Sequence, residues 1–302
     1  MLPQKTARFE EYTACAGPYC EPWRTALGVL LIAGIYAGGG YLLGISVIYI
    51  AESIQIGAGY VLVFEMALGY TPRAVLISLF LIALILPGLW FVLKFLHHRS
   101  VLSLIAPTGK VHWNHYLRAV IFVLVFSAIT SLPVYFNAEF TQQLSLAEWL
   151  PWMAPALLML FLQTTTEELV FRGYLMQQLA AHFHSRWIWW VLPAVIFGAI
   201  HYSPLHGENT WLVVGATILT GLILGDITAR FGDLSIAMGL HFANNLTIIF
   251  LLGVPGQVSG LSLFLHDFNI HDTHAMRVGI LSSSGLMLAV YFVFLLVMRG
   301  RR

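Results

Sequence analysis

The chain has 302 residues, of which 59% are hydrophobic and only 10% charged, and its formal net charge is +1. Soluble domains carry about 25% charged residues, so the composition excludes an ordinary soluble globular protein, and the near-neutral balance gives no reason to expect a nucleic-acid partner. The long apolar runs lack the alternation of membrane-barrel strands, which leaves an all-α, polytopic membrane protein.

In chain order, residues 1–23 read as a polar tail without the basic-then-apolar order of a signal peptide. Its Cys15 and Cys20 are the chain's two cysteines, so no disulfide framework is expected, and they read as ordinary thiols rather than a metal or redox pair. Hydropathy then places about eight transmembrane helices, at 24–51, 73–96, 114–136, 152–181, 187–204, 210–230, 234–253 and 276–298. The apolar piece from Ile56 to Tyr70 is too short to span comfortably and contains Glu65, so it reads as an interfacial or re-entrant segment. Lys and Arg collect in the tail, in alternate connections and at the C-terminus, whereas the third, fifth and seventh connections have none. This alternation predicts that both termini are cytoplasmic. The expected organisation is one integral membrane domain over 1–302. It comprises the tail (1–23), three spans (24–151), a motif-bearing core (152–253), and an extracytoplasmic loop with the last span and basic C-terminus (254–302). The loop 254–275 carries His266, Asp267, His271, Asp272 and His274 without the spacing of a defined metal site, and reads as solvated.

Ionisable groups inside a span cost about 2.5–3.5 kcal/mol each even on lenient scales, and so demand a role. In the fourth span T-T-T-E-E-L-V-F-R-G puts Glu168 and Arg172 at i and i+4, on one face and able to pair. Glu167 is turned about 100° away, has Phe171 at i+4, and is left free for chemistry. The fifth span holds F-G-A-I-H, with Phe197 and His201 on one face. The seventh holds H-F-A-N-N, with His241 and Asn245 at i and i+4 and Asn244 turned away to a structural role. Asp226 with Arg230 reads as a snorkelling boundary pair, and Glu52 and Glu65 as interfacial groups. One free carboxylate, two imidazoles and an amide suit hydrolysis of an amide bond. A Glu and a His can deprotonate a water, and a His and an Asn can stabilise an oxyanion. No cysteine lies in a span and no serine sits in a nucleophile pattern beside these residues, so water is the expected attacking group.

E-E-L-V-F-R, F-G-A-I-H and H-F-A-N-N resemble, in order and spacing, the E-E-x-x-x-R, F-x-x-x-H and H-x-x-x-N motifs of the CPBP family. That family comprises the CAAX prenyl endopeptidases and the Abi-like bacteriocin-processing or immunity membrane proteins. The resemblance covers about residues 152–253. It implies an eight-helix intramembrane endopeptidase in which Glu167 and His201 activate water, His241 and Asn245 stabilise the oxyanion, and Glu168, Arg172 and Phe197 support them. The metal-free reading is favoured, so no cofactor is expected; zinc held by Glu167, His201 and His241 is the alternative. The expected substrate is a membrane protein or peptide, with or without a lipid, and the expected location is a bacterial inner membrane. Two other classes fit intramembrane Glu and His residues: a proton- or cation-coupled transporter, and a non-catalytic immunity or scaffold protein.

Overall fold

A computed structural model describes residues 5–137, 140–254, 258–266 and 272–299. The N-terminal tail is not a free polar segment. Residues Ala7–Ala14 form helix α1, capped by the Thr6 side chain. Its Phe9 and Tyr12 are fully buried, and the Tyr12 hydroxyl donates to the Leu104 carbonyl (2.7 Å) with the Arg172 carbonyl 3.1 Å away. Two aromatic side chains three residues apart supply the apolar face that docks an otherwise charged helix.

The chain continues through α2 (Pro22–Ile54), α3 (Ala58–Leu68), α4 (Pro72–Ala83), α5 (Ile85–Phe95) and α6 (Trp113–Asn137). The break between α4 and α5 has a local cause: Pro87 lacks the N–H that would bond the Ala83 carbonyl. Next come β1 (Phe140–Gln142) and α7 (Leu146–Glu168), the latter started by a capping box between Ser145 and Glu148. α7 runs through a π-helical turn, Leu169–Leu175, into α8 (Met176–His182). A second π turn, Trp187–Val191, leads into α9 (Leu192–Ala199), followed by α10 (Thr210–Phe231) and α11 (Ser235–Leu246). A third π turn (Thr247–Leu251), β2 (Leu252–Gly253), β3 (Phe264–His266) and α12 (Thr273–Arg299) complete the described chain.

The molecule is an integral, multi-pass membrane protein of helical architecture. Six helical stretches among the described residues are long and apolar enough to cross a bilayer: Pro22–Ile54, Pro72–Phe95, Trp113–Thr130, Leu146–His182, Pro204–Phe231 and Thr273–Met298. The segments expected at 187–204 and 234–253 are instead shorter apolar helices, Trp187–Ala199 and Ser235–Leu251, as is Ala58–Leu68. The outer helices present large apolar side chains to lipid, among them Leu30, Tyr41, Tyr49 and Ile54 of α2 and Leu296 of α12. The shorter α11 is enclosed, with Ser235 to His241 all buried.

Small residues let the inner helices approach closely, as is usual where hydrophobic burial cannot drive association. A Cβ at Gly221 would meet Ala194 Cα at 2.9 Å, joining α10 to α9, and one at Gly239 would meet the Tyr116 carbonyl oxygen at 2.5 Å, joining α11 to α6. Gly239→Ala is therefore expected to destabilise the protein by about 1–3 kcal/mol, read as a lower thermal midpoint in detergent. A midpoint equal to wild type would show that this crossing tolerates a methyl group.

The segment 254–275 is not a simple solvated loop. Where described, it packs down: Leu261 and Ser262 are fully buried, Gly260 N donates to the Gly69 carbonyl, and Trp149 Nε1 donates to the Leu261 carbonyl. β3 pairs antiparallel with β1 and parallel with β2 to close this end of the bundle. Asp267 and His271 lie outside the described residues. Asp226 also differs from expectation. It is 2% exposed and accepts both from Arg230 and from the Tyr291 hydroxyl on α12, so the pair ties α10 to α12 rather than snorkelling. Glu52 caps the backbone N–H groups of Gly57 and Gly59, and Glu65 pairs with Arg73 and Thr71.

Beyond the end of α5, His97 is 2% exposed. Its Nδ1 donates to the Tyr19 carbonyl (3.0 Å) and its Nε2 accepts from the Tyr174 hydroxyl (2.9 Å). Burial pushes its pKa down to about 4, against the opposing pull of the Tyr19 carbonyl. An unfolded histidine titrates near 6.5, so between these values the unfolded chain binds a proton that the folded chain refuses. The stability conferred by the neutral ring is complete above about pH 6.5 and is lost as pH falls toward 4. Thermal unfolding in detergent should weaken across that window by up to about 3 kcal/mol, and by clearly less in His97→Gln. An identical acid profile in the variant would show that another group carries the effect.

Candidate active site

α7 ends on the motif. Gln163, Thr164, Thr166, Glu167 and Glu168 are all buried in its last two turns, and the chain passes directly into the π turn that contains Arg172. Single π turns inside helices concentrate at functional sites because they re-aim successive side chains. The neighbouring threonines turn inward on their own helix, Thr164 to the Leu160 carbonyl and Thr166 to the Leu162 carbonyl. The two carboxylates and the Gln163 amide remain to meet groups on other helices.

Glu168 is fully buried and Arg172 is 2% exposed; Arg172 Nη1 donates to Glu168 Oε1 at 2.8 Å. His241, 5% exposed on α11, donates from Nδ1 to the same oxygen at 2.7 Å. The guanidinium also lies over the Phe197 ring, 4.5 Å from its centroid. One carboxylate oxygen thus accepts from two helices, while Glu168 Oε2 and Arg172 Nη2 have no hydrogen-bond partner among the described residues.

The Nδ1 contact turns the other face of the His241 ring toward the remaining groups. Its Nε2 lies 3.5 Å from Glu167 Oε2 and 3.3 Å from Asn245 Nδ2. Asn245 Nδ2 also reaches Gln163 Oε1 at 3.5 Å, and Asn244 donates to Asn245 Oδ1 at 3.2 Å. Asn244 is therefore not turned away: it helps fix the orientation of the Asn245 amide. No motif singles out Gln163, although it lies four residues before Glu167 and so on the same helical face.

α9 ends at Ala199, and His201 stands in the turn beyond it, half-buried, with Nδ1 donating to the Phe197 carbonyl at 2.7 Å. Phe197 is the common neighbour: its ring is 4.9 Å from His201 and 6.1 Å from His241, edge-on to both. The structure therefore gathers Glu167, Glu168, Arg172, His241 and Asn245 by direct polar contacts and reaches His201 through an aromatic ring. Of the three residues that a zinc ion would share, Glu167 and His241 approach each other to 3.5 Å and His201 joins them by way of the Phe197 ring.

A buried carboxylate pair, a guanidinium, an imidazole and an amide at the core of a helical membrane protein define the class of site. Comparison with known proteins agrees. Residues 148–247 match the model of the family described as type II CAAX prenyl endopeptidase Rce1-like. Over 179 residues the chain is 24% identical to the uncharacterized protein YyaK of Bacillus subtilis (strain 168). That alignment covers 58% of this chain and 60% of the relative, so the match spans about 60% of the relative's length. No solved structure matches. The matched segment contains all three motifs, so the resemblance to the CAAX protease group read from them is borne out.

Proposed function

We propose that the protein is an intramembrane endopeptidase that hydrolyses a peptide bond of a membrane-associated protein or peptide, in a bacterial inner membrane. The observation that carries this reading is the convergence of His241 Nε2 and Asn245 Nδ2, 3.3 Å apart, beside the Glu167 carboxylate. A scissile carbonyl oxygen seated against those two nitrogens would bring its carbon toward Glu167. Glu167 takes a proton from the attacking water and returns it to the leaving nitrogen. As negative charge grows on the oxygen, His241 and Asn245 hydrogen-bond to it. Glu168 holds the His241 ring by Nδ1 and stabilises its doubly protonated form, much as a buried carboxylate supports a catalytic imidazole elsewhere. Arg172 neutralises Glu168 and fixes its position. His201, with Nδ1 committed to the Phe197 carbonyl, has Nε2 available to hold the water on the open side. No step requires a metal ion.

The family match supports a protease over a transporter or a silent scaffold. Purified protein in detergent, given a quenched library of membrane-anchored peptides with and without a lipidated cysteine, should cleave some of them. Cleavage should vanish in a folded Glu167→Ala variant and survive a chelator. Equal cleavage by wild type and variant would refute this site, and loss with chelator alone would refute the metal-free mechanism.

A further inference from the structure

At the end of the bundle where α1 docks, three side chains from distant parts of the chain meet. His112 precedes α6 and His115 lies in its first turn; Asp233 occupies the turn between α10 and α11. Both imidazoles present Nδ1 to the same oxygen, Asp233 Oδ2, at 2.8 Å and 3.0 Å. The ligand atoms of all three lie within 4.8 Å of one another, and this is the one group of three such side chains among the described residues. No motif in the sequence singles out any of them.

The arrangement is built rather than incidental. Asp233 is 4% exposed, and its other oxygen, Oδ1, accepts from the Ser235 backbone N–H at 2.8 Å, which aims Oδ2 at the histidines. The Ser235 hydroxyl in turn accepts from the His112 backbone N–H at 2.9 Å, locking the start of α6 to the same turn. The oxygen is thus fixed in place between the two rings. The imidazoles border an open cleft of about 290 Å³ lined by residues 112–115, through which a hydrated ion could enter.

We propose that His112, His115 and Asp233 bind one divalent transition-metal ion, with water completing the coordination. Two imidazole nitrogens and one carboxylate oxygen form the donor set that suits zinc, cobalt or nickel rather than calcium or magnesium. Metal–ligand bonds of about 2.0–2.2 Å place ligand atoms slightly farther apart than the present 2.8 and 3.0 Å. The ion therefore needs only a small outward turn of two half-exposed rings. Its effect follows from connectivity. Asp233 precedes α11 and Ser235 is its first residue; α11 carries His241 and Asn245, and α6 is the helix against which its Gly239 packs. The ion would clamp the α6–α11 pair at the N-terminal ends of both helices, a structural role separate from the proposed hydrolytic cluster.

The test is titration of tag-free, chelator-stripped protein in detergent with Co²⁺, following the visible d–d absorption. Wild type should bind one equivalent, and the signal should weaken by roughly 100-fold or more in affinity in His115→Ala and in Asp233→Asn. His241→Gln should bind as wild type does. Zn²⁺ should raise the thermal midpoint of wild type but not of His115→Ala, because only a folded site binds. Absence of saturable binding by well-folded wild type would overturn the proposal. So would binding that persists in both His115→Ala and Asp233→Asn. Loss of binding in His241→Gln alone would move the metal to the hydrolytic cluster, overturning this proposal and the metal-free mechanism together.

Discussion

Arg172→Met is expected to lower the stability of the folded protein by about 3–5 kcal/mol, and Glu168→Gln/Arg172→Met by markedly less. In the single variant Glu168 stays fully buried and loses the guanidinium at 2.8 Å, keeping only the His241 Nδ1 contact at 2.7 Å. Its Oε2 has no hydrogen-bond partner among the described residues even in the intact pair, so the carboxylate has no second partner to fall back on. Phe197 loses the cation over its ring in the same step, a contact worth about 2 kcal/mol when desolvated. The double variant removes both charges. The amide carbonyl that replaces the carboxylate can still accept from His241, and methionine fills much of the vacated volume with a flexible apolar chain. A double-mutant cycle of thermal or denaturant unfolding in one detergent measures the coupling. A double variant as unstable as the single would show that the pair is held by packing, and that charge neutralisation is not what Arg172 supplies.

The parts of this structure that are legible in the sequence share one property: their partners lie within a helical turn. Composition is enough for the membrane, and i, i+4 spacing is enough for Glu168 with Arg172 and for the shared face of His241 and Asn245. The hidden parts involve partners far apart in sequence, or apolarity whose destination hydropathy does not report. A run such as 234–253 is equally apolar whether it faces lipid or protein, so α11 reads as a full span although it is a short, enclosed helix. Residues 1–23 read as a polar tail because Phe9 and Tyr12 are only two apolar groups in a charged helix, yet each is completely buried. Tyr12 even reaches the carbonyl of Arg172, which puts the tail in contact with the site-bearing π turn. His201 stands just past α9, which stops at Ala199, yet its ring still meets that of Phe197 at 4.9 Å, a further i, i+4 neighbour that local spacing encodes. The cluster at Asp233 joins residues 118 and 121 positions apart, which no local pattern encodes.

Glu167→Gln is expected to reduce kcat by about 10²–10⁴-fold with little change in KM, the loss typical of removing a general base. The substitution keeps the shape and burial of the side chain, which is 6% exposed, and leaves the Glu168–Arg172–His241 linkage intact. Only the capacity to accept the water's proton goes, so stability should hold while turnover falls. Asn245→Ala makes the complementary case. It removes one of the two nitrogens proposed to face the developing oxyanion, and the expected loss is about 10²–10³-fold in kcat. It also frees Gln163 Oε1 and Asn244 from their contacts with the amide, so a modest fall in thermal midpoint should accompany it. The two variants are separated by the thermal midpoint, which should hold in Glu167→Gln and fall in Asn245→Ala. If Glu167→Gln turns over within about tenfold of wild type, a loss too small for a general base, the base lies elsewhere, and His201, the half-buried imidazole with an uncommitted Nε2, becomes the group to replace next.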